Sequence, residues 1–482
     1  MAADPAWFHS RCVGILCGYR CQHLKMGFPA MPALPFRTFA CGLQALILAV
    51  ATVNRPAVAS NAIDRAEITA AEATDIVRGR RDWEVCLPDL TTLSAEVATA
   101  LANGPGYYRL SLPAISSLTP ETARALASGA GDLDLPGMTE LPPATAAAFA
   151  AHRGTLNLGG LSRLGLDTAA PLTDHSGQLC FPGLTVLDPA VADILARHSG
   201  RLALPGLTSL SPVAARAIAR HRGESLSFAG LASLTFETAA ELQPHEGCLV
   251  LPRLAELSVE TASGLAGHRG PLSIDGFGEL PAEVAAALAG HRGILTLGGG
   301  SILPVDVAAA LASHVGTLSL PALNLLTPEA ALALAPHRGQ LCLPNVSMLS
   351  TETAAALALH QGSLILSGLV TLGPPAARAL SRHAGDVDLF KLTLSPRLDS
   401  SDIAGLLADK TPLLSLPNVT RMDGHESVSV AGALARSSGA VSIPNLRVAS
   451  PQTVAALQAT GNVSIPPIDA IEFIAEPDAA GP

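Results

Sequence analysis

Aromatic residues make up only 3% of this 482-residue chain. Its length alone would suggest roughly two to four domains, but so few rings cannot fill several compact cores of the usual kind. The interior has to be assembled from Leu, Ala, Val and Ile. Long apolar runs are scarce as well: hydrophobic residues account for 49% of the chain, yet only the stretch from Phe39 to Val53 approaches a membrane span. At about fifteen residues it falls short of the roughly 20 that a spanning helix needs. Lys25 and Arg37 precede it, and Pro56, Ala57-Val58-Ala59 and Ser60-Asn61-Ala62 follow. That order is the order of a secretory signal peptide, with cleavage expected after Ala59 or Ala62. Met26 and Met31 are alternative starts to Met1.

An excess of positive charge is also missing. The formal net charge is −10; through Ala62 the chain carries five basic groups (Arg11, Arg20, Lys25, Arg37, Arg55) against Asp4, a local +4 that leaves −14 for the rest. Nucleic acid is thereby disfavoured as a partner, because binding it requires a basic surface that displaces counterions from phosphate. Anionic lipid surfaces are disfavoured for the same reason, and insertion of the mature chain into a membrane is not expected. Of eight cysteines, Cys12, Cys17, Cys21 and Cys41 lie in the leader, and Cys86, Cys180, Cys248 and Cys342 are too far apart for a CxxC pair. A secreted chain without a disulfide framework points to a body held together by its own stacking.

What the chain does have is a period. Glycines two residues after a histidine occur at Gly154, Gly177, Gly200, Gly223, Gly247, Gly270, Gly293, Gly316, Gly339, Gly362 and Gly385. The interval is constant except between Gly223 and Gly247, where it is one residue longer. A fixed repeat of about 23 residues takes precedence over any other signal. In the unit Gly200 to His221, Leu202 and Leu204 alternate with Arg201 and Ala203, the two-residue period of a short strand with one buried face. Pro205 is expected to end that strand. Ser211-Pro212 then reads as a helix N-cap followed by proline at the first turn, with Ala215, Ile218 and Ala219 at helical spacing. His221 and Gly223 close the helix, the glycine being expected in the left-handed conformation. One unit buries too few side chains to offset the ordering of its own backbone, so neighbours must stack.

Extending the register places strands near Val85, Leu110, Leu133, Leu156, Leu179, Leu202, Leu226, Leu249, Leu272, Leu295, Leu318, Leu341, Leu364, Val387, Leu414, Val441 and Val463. The expected organisation is a leader over 1–62, an N-terminal cap over 63–82, repeats over 83–462 with an irregular stretch at 386–439, and a C-terminal cap and tail over 463–482. Ile68, Ala73 and Ile76 suit the opening cap; Ile468, Ile471, Phe473 and Ile474 can cover the last strand.

The Leu-x-Leu-Pro-x-Leu-x-x-Leu opening and the Ala-x-x-Leu-Ala-x-His helix resemble the leucine-rich repeats, closest to the bacterial surface-antigen class, as in Leu179, Phe181, Pro182, Leu184, Leu187, Ala192 and Leu195. The chain departs from that class where Leu184, Leu195 and His198 replace its asparagine, phenylalanine and cysteine. The resemblance, over about residues 63 to 475, implies an α/β solenoid with parallel strands on a concave face and short helices on the convex face, a binding scaffold often secreted or surface-displayed, and no catalytic residues to carry over. A parallel β-helix is the structural alternative, but the Ala-rich second half of each unit favours helix over strand.

Three features carry potential chemistry. The histidines of the repeat, His152 to His383, should stack in a line; such a line offers two ligands per ion where zinc wants three or four, so a structural role is expected and no metal is assigned. The outward strand residues, among them Cys86, Asp134, Asn157, Cys180, Thr296, Cys342 and Asp388, are small and include no Trp, Tyr or Arg, the usual interaction anchors. The irregular stretch brings Asp423, His425 and Glu426 together, a carboxylate pair beside the one histidine of the mature chain outside the column. Binding residues are therefore expected among Asp134, Asn157, Thr296, Asp388, Asp423, His425 and Glu426. Gly298-Gly299-Gly300-Ser301 lacks the Lys-Ser/Thr of a phosphate loop, and no cofactor is expected. The sequence thus reads as an exported bacterial scaffold for protein or glycan recognition, non-catalytic, found in the periplasm or at the cell surface. A self-associating envelope protein and a β-helix carbohydrate enzyme using the acids near Asp423 are the alternatives.

Overall fold

The computed structural model describes residues 66–79, 84–104, 109–129, 131–389, 392, 398, 400–410 and 413–474. The expected signal peptide, with cleavage after Ala59 or Ala62, lies outside the described residues. Each coil is a strand of two to four residues, a turn, a helix mostly of six to ten residues, and a return. Fourteen such strands form one parallel sheet, with Val85, Leu110, Leu133 and every later predicted rung through Val387 in register with the next. Leu414, Val441 and Val463 are paired in a second sheet of three strands. The β-helix alternative fails here, because an α-helix such as Pro212–Ile218 occupies the half of each coil where a β-helix would run a further strand.

The inward leucines of each strand and one face of each helix make a single continuous core, in which Leu202, Leu204, Ala214, Ala215 and Ile218 are buried together. The helices begin as their sequences dictate: the Ser211 hydroxyl accepts from the Ala214 N–H, Thr327 from Ala330, and Asp188 from Ala190 and Val191, each before a proline at the first helical position. Where Asp275 and Gly298 stand in place of the proline that usually ends the strand, the strand runs through to include them. The first described helix, Ala70–Gly79, buries Ala73 against the first coil, and of the residues expected to cover the last strand Ile471 is the buried one.

Two devices were not expected. A second parallel ladder runs along the turn between strand and helix, seen at Ser233 with Glu256, Ile302 with Leu325, Met348–Leu349 with Thr371–Leu372, and Arg421–Met422 with Val448–Ala449 and Glu472–Phe473. Threonines tie several of the helices to the coil before them: the buried hydroxyls of Thr145, Thr238 and Thr353 each donate to a leucine carbonyl (Leu118, Leu210, Leu326) at 3.2 Å.

The glycine column corrects a sequence expectation. Among the described glycines only Gly276 and Gly461 have positive φ, so the column glycines are not left-handed caps. They are glycine because coil packs on coil there backbone to backbone. A Cβ on Gly200 would lie 1.9 Å from the carbonyl oxygen of Gly177, and one on Gly339 would lie 1.7 Å from that of Gly316. Gly339→Ala should therefore force two coils apart and lower stability by roughly 2–3 kcal/mol or more. Gly278→Ala, where a Cβ meets nothing within 4 Å, should change it by less than about 0.5 kcal/mol. Thermal melts of the two variants side by side check this; equal melting temperatures would refute the contact argument.

Candidate functional site

The outward face of the main sheet is uneven. In its middle the outward residues Ser227, Val250, Ser273, Thr296 and Ser319 are buried. Thr296, expected to line a binding surface, is only 2% exposed and is withdrawn from it, because small side chains on closely spaced rungs are shielded by their neighbours. Polar chemistry collects instead on the first coils. Asp134 accepts at one carboxylate oxygen from the Arg109 guanidinium and the Ser111 hydroxyl, both at 3.0 Å, and at the other from the Asn157 amide at 2.6 Å. Three consecutive rungs thus share one network, with Arg109 also within 3.9 Å of Glu84. Sequence inspection picked out Asp134 and Asn157 but missed Arg109, which precedes the outward position and joins the cluster only because its coil lies beside that of Asp134. The thiols on either side are held protonated: burial pushes Cys180 up to about 12, and burial raises Cys86. None of the four described cysteines is in a disulfide.

The irregular stretch does not form the carboxylate pair suggested by its sequence. Asp423 is turned to Arg421, which donates to it through Nε and Nη2. Glu426 reaches back to the preceding coil, accepting from the Ser401 backbone N–H at 3.0 Å and hydroxyl at 2.9 Å. His425 is exposed, and Asp388 is exposed at the end of the long sheet. Asp423 and Glu426 therefore take different partners, whereas the fold joins Asp134 and Asn157 by a hydrogen bond.

The histidines form a continuous buried stack at the seam where helices end and strands begin. Successive ring centroids lie 5.5 to 6.3 Å apart from His152 to His383, and every ring is at most 4% exposed. Nε2–H of His198, His268 and His314 donates to the column-glycine carbonyl of the preceding coil, at 3.1 to 3.2 Å. The Nε2 atom of His198 sits 2.8 Å from where a Cβ on Gly200 would be, so histidine and glycine are one device occupying one cramped space. Both ring nitrogens of His152, His175, His221 and His291 lack a hydrogen-bond partner. Among the described residues no group of three or more His, Cys, Asp or Glu side chains is placed to hold a metal ion.

Burial pushes these imidazoles down: His175 and His221 to about 3, and His268, His337 and His360 to about 4, with repulsion from neighbouring rings adding to desolvation.

No protein-family model and no curated protein matches this chain. Its neighbours among solved structures include a leucine-rich-repeat protein of Leptospira interrogans (19% identity, 68% of this chain and 94% of the other, TM-score 0.32). They also include the Toll–Spätzle complex of Drosophila (11%, 80% and 55%, TM-score 0.37) and an internalin of Listeria monocytogenes (15%, 67% and 89%, TM-score 0.32). From its own coil geometry the chain is a leucine-rich-repeat-like α/β solenoid, with one parallel strand and one short helix per coil.

The buried imidazoles give this solenoid a defined response to acid. The unfolded chain takes up protons below about pH 6.5 while the folded rings stay neutral, so stability is complete above that pH and is lost as pH falls toward the folded values. At pH 5 each of the five most depressed rings costs about 2 kcal/mol, on the order of 10 together, comparable to the whole stability of many domains. The melting temperature should drop steeply between pH 7 and pH 5. A melting temperature unchanged across that interval would rule out neutral buried rings.

Proposed function

We infer that this protein is an exported, non-catalytic scaffold that recognises a protein or glycan ligand through the polar N-terminal part of its sheet face. The observation that carries this reading is the network of Arg109, Ser111, Asp134 and Asn157 on three adjacent rungs. Interdigitated hydrogen bonds hold the Asp134 carboxylate and the Asn157 amide in place, which lowers the ordering cost of binding. The Arg109 side chain remains 47% exposed beside the 56% exposed Glu84, leaving a guanidinium and a carboxylate available to a polar partner. Regular coils supply a rigid platform, and polar side chains fixed on such a platform favour recognition. Export is supported by the apolar stretch from Phe39 to Val53 with its basic and small-residue flanks, and among the described residues no helix is long and apolar enough to cross a membrane. Periplasm or cell surface is the location that fits both.

The reading is tested by immobilising the protein and its Arg109→Ala/Asn157→Ala variant, then screening envelope proteins and a glycan array. At least one ligand should bind the wild type saturably and lose tenfold or more in affinity with the variant, about 1.4 kcal/mol. Ligands that bind both proteins equally would move the site away from these rungs, and polysaccharide turnover would overturn the non-catalytic reading.

A further inference from the structure

The helix layer has two oppositely charged edges. Along the edge where the helices start, six consecutive coils each carry one exposed carboxylate at the second helical position: Glu237, Glu260, Glu283, Asp306, Glu329 and Glu352. Along the edge where they end, Arg222, Arg269, Arg292 and Arg338 stand exposed between the column histidine and the column glycine. None of these ten residues forms an ion pair among the described residues, whereas Arg216, Arg220 and Arg378 on the helix face are paired with Glu241, Asp193 and Asp402. From Arg269 to Gln361 the return segments contain no carboxylate. The charges suit the helix dipoles locally, but the two rows sit at opposite ends of helices about 10 Å long and cannot neutralise each other within one molecule.

We propose that the arginine edge docks on the carboxylate edge of a second copy of this chain, the two solenoids lying side by side in the same direction. Both rows repeat once per coil, so one translation aligns them all. A copy displaced by one coil sets Arg222 against Glu237, Arg269 against Glu283, Arg292 against Asp306 and Arg338 against Glu352. Like charges meet in that register at Glu246 with Glu260, and Glu224, two residues after Arg222, also comes near Glu237 but is paired with Arg201 in its own molecule. Apolar side chains accompany both rows: Phe236, Val259 and Val305 are exposed beside the carboxylates, and Val315 fills the gap in the arginine row. The contact is heterologous, so each added copy leaves one free edge of each sign and a row grows without closing. It uses neither sheet face nor the Arg109 cluster. Because exposed ion pairs are individually weak and screened by salt, the association is concentration-dependent and salt-sensitive.

Sedimentation velocity and light scattering of the full chain at about 20 mM and about 500 mM NaCl test this. At low salt the weight-average mass should rise at least twofold with concentration, and at high salt it should return to the monomer. Arg269→Glu/Arg292→Glu/Arg338→Glu has two negative edges, and Glu283→Lys/Asp306→Lys/Glu352→Lys has two positive ones. Each should be monomeric alone, and an equimolar mixture should associate. Circular dichroism melts establish that both are folded; if either is not, the corresponding glutamine variants should associate at least tenfold more weakly than the wild type. A wild type monomeric at low salt, association untouched by either set of substitutions, or reversed variants that fail to associate on mixing would each overturn the proposal. So would a monomer whose arginine row instead binds polygalacturonate.

Discussion

Backbone lying directly on backbone at the return from helix to strand is the constraint on which this solenoid depends. Across most of the column, a Cβ on one coil's glycine would fall within about 2.6 Å of the preceding coil's glycine carbonyl, a separation that no other L-residue can accept. That approach brings the strands within hydrogen-bonding distance, aligns the inward leucines from rung to rung, and lets the threonine hydroxyls reach the previous coil. With few aromatic side chains to fill space, the core is aliphatic and regular, and it is extended by repetition.

The histidine column is the counterpart of that close approach. The return segment leaves carbonyls facing inward with no helix or sheet partner, and imidazole is flat enough to fit between coils while offering N–H groups to some of them. The arrangement is only partly satisfied, since several ring nitrogens are buried without partners, an electrostatic cost that rises with acidity. The C-terminal coils solve the same problem with groups that do not titrate: the Ser437 hydroxyl donates to the Ala408 carbonyl at 3.0 Å, and the Asn462 amide donates to the carbonyls of Ser437 and Gly439. Acid sensitivity is therefore built into the middle of the chain, from His152 to His383, while its C-terminal coils use neutral hydrogen bonds.

The three outer regions of a coil carry different chemistry. The sheet face is small and closed in its middle and polar at its first rungs, where Arg109, Ser111, Asp134 and Asn157 converge. The edges of the helix layer are charged with opposite sign. A repeat protein can separate these properties because each coil position recurs on one line, so a substitution repeated over several units becomes a ridge.

The sequence by itself determined the coil. The nearly constant interval between column glycines and the His-x-Gly return specify the rungs from Leu156 to Val387, and the alternating apolar strand residues and capped helix starts extend them to Val85 and Val463, since each signal is local and repeated. Tertiary contact decided what lies between coils. The glycines read as left-handed caps but are required by the matching glycine of the coil before; Thr296 reads as exposed but is shielded by adjacent rungs; Asp423 and Glu426 read as a pair but turn to Arg421 and Ser401. Arg109 entered the polar cluster because stacking sets its coil beside that of Asp134. Local pattern fixes what a residue does within its own coil, while its burial and partners are set by distances across coils, which depend on how tightly the backbones stack.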